Sequence, residues 1–225
     1  MPKQPNRREE LKAKKQAYVA DEILMSAVSL FAKRGFRAVT IDDIASNLGY
    51  TKSVVYYYFS SKIEILSQIF ARSHDVFIDS ARATVALQLG PVETMTRLIR
   101  EHAEHVMNRP DWNAIYWREE SELDEKQRKQ ILARKHEYDG VIESVYSEGV
   151  KQGVFKDIPP GIAVRALLGM CNSSYLWFKE NGALSAEEVA DYFVTMLMDG
   201  FSLKPTVQEG NSQRGRGKAA QSTAA

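Results

Sequence analysis

The chain has 225 residues, of which 44% are hydrophobic and 26% are charged, and its net charge at neutral pH is +1. These values are typical of a globular protein and exclude a collagen-like or largely disordered chain. No apolar stretch approaches the roughly 20 residues that span a bilayer, and a single cysteine, Cys171, excludes a disulfide framework. We therefore expect a globular protein of the reducing cytoplasm.

Charge is distributed unevenly along the chain. Residues 1–65 contain 11 Lys and Arg against 7 Asp and Glu, whereas residues 66–209 contain 16 against 22. Three further basic residues and no acidic one follow residue 209. A basic front on an acidic body is the balance expected if only the N-terminal part meets a polyanion.

Hydrophobic residues recur at helical spacing through almost the whole chain, and no stretch alternates as a half-buried strand would. In the first predicted helix Ile23, Ala27 and Phe31 share one face, and Gly35 is a typical C-terminal stop. Glycine and proline residues separate the later segments. The pattern predicts an all-α protein of about nine helices, three of them short and basic and six forming a larger bundle.

The most informative stretch is TIDDIASNLGYTKSVVYYYF, at residues 40–59. Thr40 can cap a short helix, with Asp43 as the capping-box partner three residues later. Gly49 suits the left-handed residue of a tight turn, and Thr51 can cap a second short helix. Two short helices joined by such a turn are the helix-turn-helix pattern.

Three consecutive tyrosines occupy the second of these helices. They cannot all face one core, because neighbouring helical residues point about 100° apart. If Val55 and Phe59 face inward, the side chains left outside are Lys52, Ser53, Tyr56 and Tyr57. Lysine and hydroxyl groups reach phosphates and base edges, and tyrosine offers a flat face to thymine methyl groups. A tyrosine-rich packing helix is the alternative, but the caps, the turn and the charge favour DNA binding.

Residues 22–66 resemble the DNA-binding domain of the TetR family of bacterial transcriptional repressors. The signature is carried by Phe31, Gly35, Phe36, Thr40, Ile44, Ala45, Tyr56, Tyr58, Phe59 and Lys62. The resemblance implies that Thr40, Tyr56, Tyr58 and Lys62 position phosphates and that Lys52, Ser53 and Tyr57 face base edges. Thr51, which begins the same helix, completes the predicted DNA-binding surface. Ser53 and Val54 depart from the family pattern, in which Gly and Thr are frequent.

We divide the chain into four segments. These are a disordered basic arm (1–17), a helix-turn-helix domain (18–65), a ligand-binding and dimerisation domain (66–203) and a disordered tail (204–225). Both terminal segments are polar and rich in charged or small residues. The arm can follow a DNA backbone or enter a minor groove, although an ordinary solvated tail has the same composition.

The last two predicted helices are more apolar than one buried face requires. The stripes in question are Val164, Leu167, Leu168 and Cys171 on one helix and Val189, Phe193, Leu197 and Met198 on the other. Both can be ordinary core helices. The family resemblance favours a two-fold four-helix interface, and hence a homodimer that places two recognition helices on a palindromic operator.

Two aromatic segments are candidates for a ligand pocket. The first holds Trp112, Tyr116 and Trp117, and the second places Asn172, Tyr175 and Trp177 in an apolar helix. Polar groups in such a helix need partners, which a ligand or neighbouring helices can supply equally well. Arg118 and Arg165 are positioned to serve an anionic ligand.

Residues 116–201 also resemble a narrower group of TetR repressors, which respond to acyl-CoA thioesters. The resemblance implies a small-molecule inducer of that kind. A cationic drug-like ligand held by the aromatic residues with Glu119, Glu120 and Glu122 is the competing hypothesis, and a DNA-binding dimer without an inducer is another.

Catalytic and metal-binding patterns are lacking in the sequence. It contains no nucleophile elbow, no phosphate-binding glycine-rich loop and no zinc-protease motif. His102 and His105 lie three residues apart, each directly after a glutamate (Glu101 and Glu104), but a closed metal site needs further ligands, so we predict a solvated helix face there. We expect no enzymatic activity, no cofactor and no bound metal.

Overall fold

The computed structural model of the protein describes residues 7–202. Within this range the chain forms nine α-helices and one 3-10 turn, with a single antiparallel bridge between Phe155 and Ser202. The helices are α1 (Arg7–Arg34), α2 (Ile41–Asn47), α3 (Lys52–Tyr58), α4 (Lys62–Ala86), α5 (Pro91–Asn108), α6 (Pro110–Glu119), α7 (Glu125–Lys151), α8 (Pro160–Trp177) and α9 (Ala186–Phe201). The predicted all-α fold is confirmed over these residues. No helix among them has the length and apolarity to cross a membrane.

The first helix corrects the predicted start of the ordered chain. Residues 7–17, expected in a disordered arm, form the first turns of α1, which is 28 residues long rather than short. This segment consists almost entirely of strong helix formers, and Glu9 and Glu10 in the first turn complement the helix dipole. Its high charge was therefore misread as a sign of disorder. Residues 1–6 of that arm and 203–225, with the predicted tail, lie outside the described residues.

Helices α2 and α3 form as their local sequence predicts. Thr40 and Asp43 make both hydrogen bonds of the capping box, and Gly49 adopts a φ of +69° in the turn. Val55 and Phe59 are buried. The Thr51 position at the start of α3 is also confirmed, but its side chain makes no capping hydrogen bond.

Two hydrophobic clusters build the interior. The first joins α1, α2, α3 and the N-terminal half of α4, and it also takes in Trp112, Ile115, Leu123 and Ile131 from the segment that follows. The second joins the rest of α4 with α5, α7, α8 and α9. The boundary expected at residue 65 therefore falls in the first turn of α4 and cuts through the first cluster, which continues with Leu66, Ile69 and Phe70.

The eight residues predicted for a dimer interface lie in the second cluster. Each is 9% exposed or less and faces the protein's own core. The strongest apolar stripe of each helix is thus used for folding. The outward faces of α8 and α9 carry a second, exposed set comprising Ile162, Leu176, Trp177, Tyr192 and Met196. An interface through these helices would use that set.

Candidate DNA-binding surface and effector cavity

Helix α3 presents two of its three tyrosines to the outside. Tyr56 is 47% exposed and Tyr57 is 68% exposed, while Tyr58 is half-buried against the first cluster. The Tyr57 and Tyr58 rings meet edge to face, with centroids 5.0 Å apart. This contact limits the rotation of the Tyr57 ring.

The start of α3 is polar and exposed. Thr51, Lys52 and Ser53 are all exposed, and the Lys52 ammonium group lies 3.0 Å from a carboxylate oxygen of Asp42 on α2. An exposed ion pair of this kind is weak and is easily exchanged for a phosphate. The helix start therefore presents a cation and two hydroxyl groups, and Ser53 lies one turn before Tyr57 on the same face.

Thr40 is committed to the structure of α2. Its hydroxyl group donates to Asp43 Oδ2 at 2.6 Å and accepts from the Asp43 backbone N–H at 3.1 Å. These Thr40 hydrogen bonds, with help from Arg34, lower the pKa of Asp43 to about 2. The capping box consequently keeps its charged form through the physiological pH range.

Lys62 holds the loop between α1 and α2. Its ammonium group donates to the carbonyl oxygens of Phe36 at 2.7 Å and Val39 at 2.6 Å, and it lies over the Phe36 ring. Burial lowers the pKa of Lys62. Two of its three N–H donors are thus directed at the protein's own backbone, whereas the family resemblance implied that this residue positions phosphates.

The same loop is held from the other side by the end of α6. The backbone N–H of Phe36 donates to Glu119 Oε1 at 3.1 Å, and Arg37 Nε donates to Glu122 Oε1 at 2.7 Å. Neither glutamate lines the cavity described next. Their contacts join the helical body to the residues that lead into α2.

A cavity of about 70 Å³ lies among α4, α5, α6, α7 and α8. Its lining residues are Ser73, His74, Phe77, His102, Asn113, Tyr116, Trp117, Lys135, Tyr138, Asp139, Leu168 and Asn172. A space of this size holds a few water molecules. The lining combines aromatic rings with polar or charged side chains from each of the five helices.

His102 is the centre of a buried hydrogen-bond chain in the cavity wall. Its Nε2 lies 3.0 Å from Asn172 Oδ1 and its Nδ1 lies 2.8 Å from Tyr138 Oη. An amide oxygen only accepts, so Nε2 carries the proton and Tyr138 donates to Nδ1. Burial lowers the pKa of His102 to about 4. The predicted solvated face is wrong, because His102 is only 5% exposed.

Two polar atoms in the cavity wall have no partner within the described chain. They are His74 Nε2 and Asp139 Oδ1. Burial, assisted by the positive charges of Arg134 and Lys135, lowers the pKa of His74 to about 4. Burial also raises the pKa of Asp139. The cavity thus contains unsatisfied hydrogen-bonding groups, and its burial favours the neutral forms of both His74 and Asp139.

Only part of the predicted ligand set reaches this cavity. Tyr116, Trp117 and Asn172 line it, and Tyr175 stacks on Trp117 with centroids 6.2 Å apart. The four remaining predicted residues lie elsewhere: Trp112 in the first cluster, Trp177 against Phe193, and Arg118 and Arg165 exposed outside the lining. Ser173 and Ser174 bond to carbonyl groups of their own helix.

The sequence analysis missed most of the polar lining. His74 comes from α4, Asn113 from α6, and the adjacent Tyr138 and Asp139 from α7, and no spacing within one segment joins these three helices. The pair of histidines on α5 was a usable signal for one member. It was assigned to a solvated helix face because no further metal ligands were visible in the sequence.

Comparisons with known proteins agree with this architecture. A model of bacterial regulatory proteins of the tetR family matches residues 23–69, and a model of the Tetracyclin repressor-like C-terminal domain matches residues 88–201. The HTH-type transcriptional repressor KstR2 of Mycolicibacterium smegmatis is 27% identical over 81% of this chain and 90% of its own length. KstR2 of Rhodococcus jostii is 29% identical over 80% and 90%.

Solved structures share the fold over most of their length. AibR, in complex with isovaleryl coenzyme A and operator DNA, is 28% identical with a TM-score of 0.73, covering 80% of this chain and 97% of its own. KstR2 of Mycobacterium tuberculosis, a ketosteroid transcriptional regulator, superposes with a TM-score of 0.74 at 24% identity, covering 82% and 95%. The second likeness concerns the fold alone.

A helix-turn-helix with an exposed recognition helix, on a helical body with an internal cavity, defines a class of DNA-binding regulators. The two family models together span most of the chain. The chain belongs to the TetR family of bacterial transcriptional regulators.

Proposed function

We propose that this protein is a transcriptional repressor that binds a palindromic operator as a homodimer and is released when an acyl-CoA thioester enters the cavity. The observation that carries the proposal is the position of α6. Tyr116 and Trp117 of this helix line the cavity, and Glu119 at its end contacts the loop that leads into α2. One helix therefore lines the cavity and contacts the loop that leads into the helix-turn-helix.

The DNA-binding face would be built from the start of α3 and its two exposed tyrosines. Thr51, Lys52 and Ser53 supply groups for phosphates and base edges, and Tyr57 projects furthest. We assign Lys62 a different role from the other members of this surface. Since it bonds to two carbonyl groups of the α1–α2 loop, it would support DNA binding by positioning that loop.

Dimerisation would use the outward faces of α8 and α9. Leu176 is 71% exposed, and Tyr192 and Met196 are each more than half exposed. Large apolar side chains grouped on two neighbouring helices are expected at an interface between subunits. A two-fold arrangement would give the protein two recognition helices for the two halves of a palindrome.

The cavity chemistry favours a neutral acyl group over a cationic ligand. The environment that keeps His74 and His102 neutral, with pKa values of about 4, penalises any buried positive charge. Glu119 and Glu122, candidates for a cation site, contact the α1–α2 loop instead. The structural neighbour AibR, solved with isovaleryl coenzyme A and operator DNA, supports the thioester class.

Ligand entry must enlarge the cavity. A volume of about 70 Å³ has room for a few water molecules and not for an extended acyl chain. Displacement of Tyr116 and Trp117 would carry the end of α6 with it and shift the α1–α2 loop. Ligand would thereby favour an arrangement in which the recognition helices no longer fit successive major grooves, a coupling between two sites.

A mobility-shift assay tests the proposal. The probe is the DNA that flanks the protein's own gene, and the competitors are acyl-CoA thioesters of increasing size, free coenzyme A and a cationic dye. We expect salt-dependent binding that a thioester releases and that coenzyme A and the dye leave intact. Release by the dye alone would favour the cationic ligand. Binding that nothing releases would favour a regulator without an inducer, and the absence of binding would overturn the proposal.

A further inference from the structure

Helix α1 extends past the packed part of the DNA-binding domain on the side of the recognition helix. Residues 7–18 are exposed, except for half-buried Gln16. The Gln16 side-chain amide donates to Tyr57 Oη at 3.0 Å. Tyr57 is the most exposed residue of the tyrosine run, so this hydrogen bond brings Gln16 to the level of the surface that would meet a major groove.

Helical geometry places the residues before Gln16 beyond the edge of α3. Each turn advances the chain by about 5.4 Å, so Lys12 lies about one turn further out and Arg8 about two. Arg8, Lys12 and Lys15 follow the spacing i, i+4, i+7 and form one stripe along the helix. Lys12 points within about 40° of the direction of Gln16. The stripe therefore adjoins the face that contacts Tyr57.

The stripe concentrates positive charge on an exposed surface of α1 next to the recognition helix. Glu9, three residues before Lys12, offsets part of this charge. A polyanion alongside the stripe would interact favourably with its cationic groups. DNA that occupies the groove at Tyr57 continues past the edge of α3 and carries phosphates in that position.

We propose that the stripe formed by Arg8, Lys12 and Lys15 binds the phosphate backbone of the DNA flanking each operator half-site. The inference rests on the proposed function, because it requires α3 to dock in a major groove. The contacts are between ammonium or guanidinium groups and phosphates. They add affinity without reading sequence. The footprint of each subunit would extend outward from the half-site by the length of the exposed part of α1.

The test compares K12Q/K15Q with the wild type on two duplexes. One ends at the outer edges of the half-sites, as mapped by footprinting, and the other carries about ten further base pairs, one helical turn, on each side. Glutamine matches lysine in helix propensity, so circular dichroism should show unchanged helicity. The control K129Q/K151Q removes two cations of α7, whose side chains are 74% and 75% exposed.

On the long duplex, the slope of log affinity against log salt should fall by about 0.9 for each phosphate that is no longer neutralised. That amounts to about 1.8 per subunit for K12Q/K15Q, and the control should match the wild type. On the short duplex all three proteins should behave alike. Equal slopes for K12Q/K15Q and the wild type on the long duplex would overturn this inference alone. A wild type that binds neither duplex would overturn it together with the proposed function.

Discussion

Glu119 accepts a hydrogen bond from the backbone N–H of Phe36 at 3.1 Å, across 83 residues of sequence. Glu119 ends α6, and Tyr116 lies one turn earlier on the same helix in the cavity wall. Phe36 belongs to the α1–α2 loop, and its carbonyl oxygen accepts a hydrogen bond from the Lys62 ammonium group. A short helix thus connects the cavity wall to the entry of the helix-turn-helix.

Removing this hydrogen bond should weaken communication between ligand and operator. Glu119→Ala leaves the Phe36 N–H without its acceptor, while Glu120→Ala removes an exposed neighbouring carboxylate as a control. Coupling free energies between sites are typically about 1–3 kcal/mol. We expect E119A to reduce the ligand-dependent change in operator affinity by about fivefold, or roughly 1 kcal/mol, with E120A unchanged. Identical ligand responses of E119A and the wild type would show that this hydrogen bond transmits nothing.

Tyr57 should contribute directly to operator affinity. Tyr57→Ala removes the most exposed side chain of the run in α3, and a base contact of this kind is worth about 1–3 kcal/mol. Leu87→Ala is the control, since Leu87 is 54% exposed at the far end of α4. Fluorescence anisotropy with a labelled operator measures both. Unchanged affinity for Y57A would exclude a base-contacting role.

Lys52 and Lys62 should fail in different ways when neutralised. Lys52→Gln removes an exposed cation at the start of α3, so the salt slope of operator binding should flatten by about 0.9 per subunit with little change in stability. Lys62→Gln removes donors to two carbonyl oxygens and should lower the free energy of unfolding by about 1–3 kcal/mol. Urea unfolding and salt titrations separate the two effects. A slope that flattens by a full unit in K62Q at unchanged stability would identify Lys62 as a phosphate-binding residue instead.

Acid should destabilise the protein through its buried histidines. The pKa of His102 is about 4 in the folded protein against 6.5 ordinarily, so the unfolded chain binds the proton first as the pH falls. The contribution of neutral His102 to the free energy of unfolding is fully present above pH 6.5 and is lost as the pH falls towards 4. His102 alone should account for about 2 kcal/mol between pH 7.5 and pH 5. Urea unfolding at several pH values measures this.

His102→Asn should flatten that pH dependence, whatever its effect on stability at pH 7.5, because the titrating group is gone. His136→Gln, which replaces an exposed histidine of α7, should leave the pH profile of the wild type intact. A profile for H102N as steep as that of the wild type would mean that other groups dominate the acid response.

The exposed faces of α8 and α9 should carry the dimer. Leu176→Glu places a charge on the most exposed apolar residue of the proposed interface and should convert the protein to a monomer with much weaker operator binding. Leu132→Glu is matched in chemistry and lies 48% exposed on α7. Analytical ultracentrifugation at micromolar concentration distinguishes them. If L176E is still a dimer, the dimer interface must lie on another surface.

Local signals in the sequence predicted the DNA-binding part well, because its geometry depends on near neighbours. Thr40 with Asp43, Gly49, and the inward Val55 are decided within a few residues of each other. The two outward tyrosines follow from helical spacing alone. The long α1 was missed because charge was weighed above helix propensity. The expectation of a helical body with a ligand pocket came from the family resemblance, because the spacing of hydrophobic residues does not predict a pocket.

The cavity could not be predicted in the same way. His102, Tyr138 and Asn172 form one hydrogen-bond chain but come from three helices, and no local pattern joins them. The α8 and α9 helices show a second difficulty. They are apolar on two faces. Which face packs into the core and which stays exposed depends on where the neighbouring helices lie, and the sequence of α8 and α9 does not contain that information.

The first hydrophobic cluster draws Trp112 and Ile131 from the body into the core beneath α1. A fragment ending at residue 65 would leave that core open on one side and lack Leu66, Ile69 and Phe70 as well. Such a fragment would not fold as an independent DNA-binding domain. It also could not be exchanged between relatives without these residues. Proteolytic cleavage near the start of α4 would therefore abolish operator binding, because the released N-terminal fragment would lack a complete core.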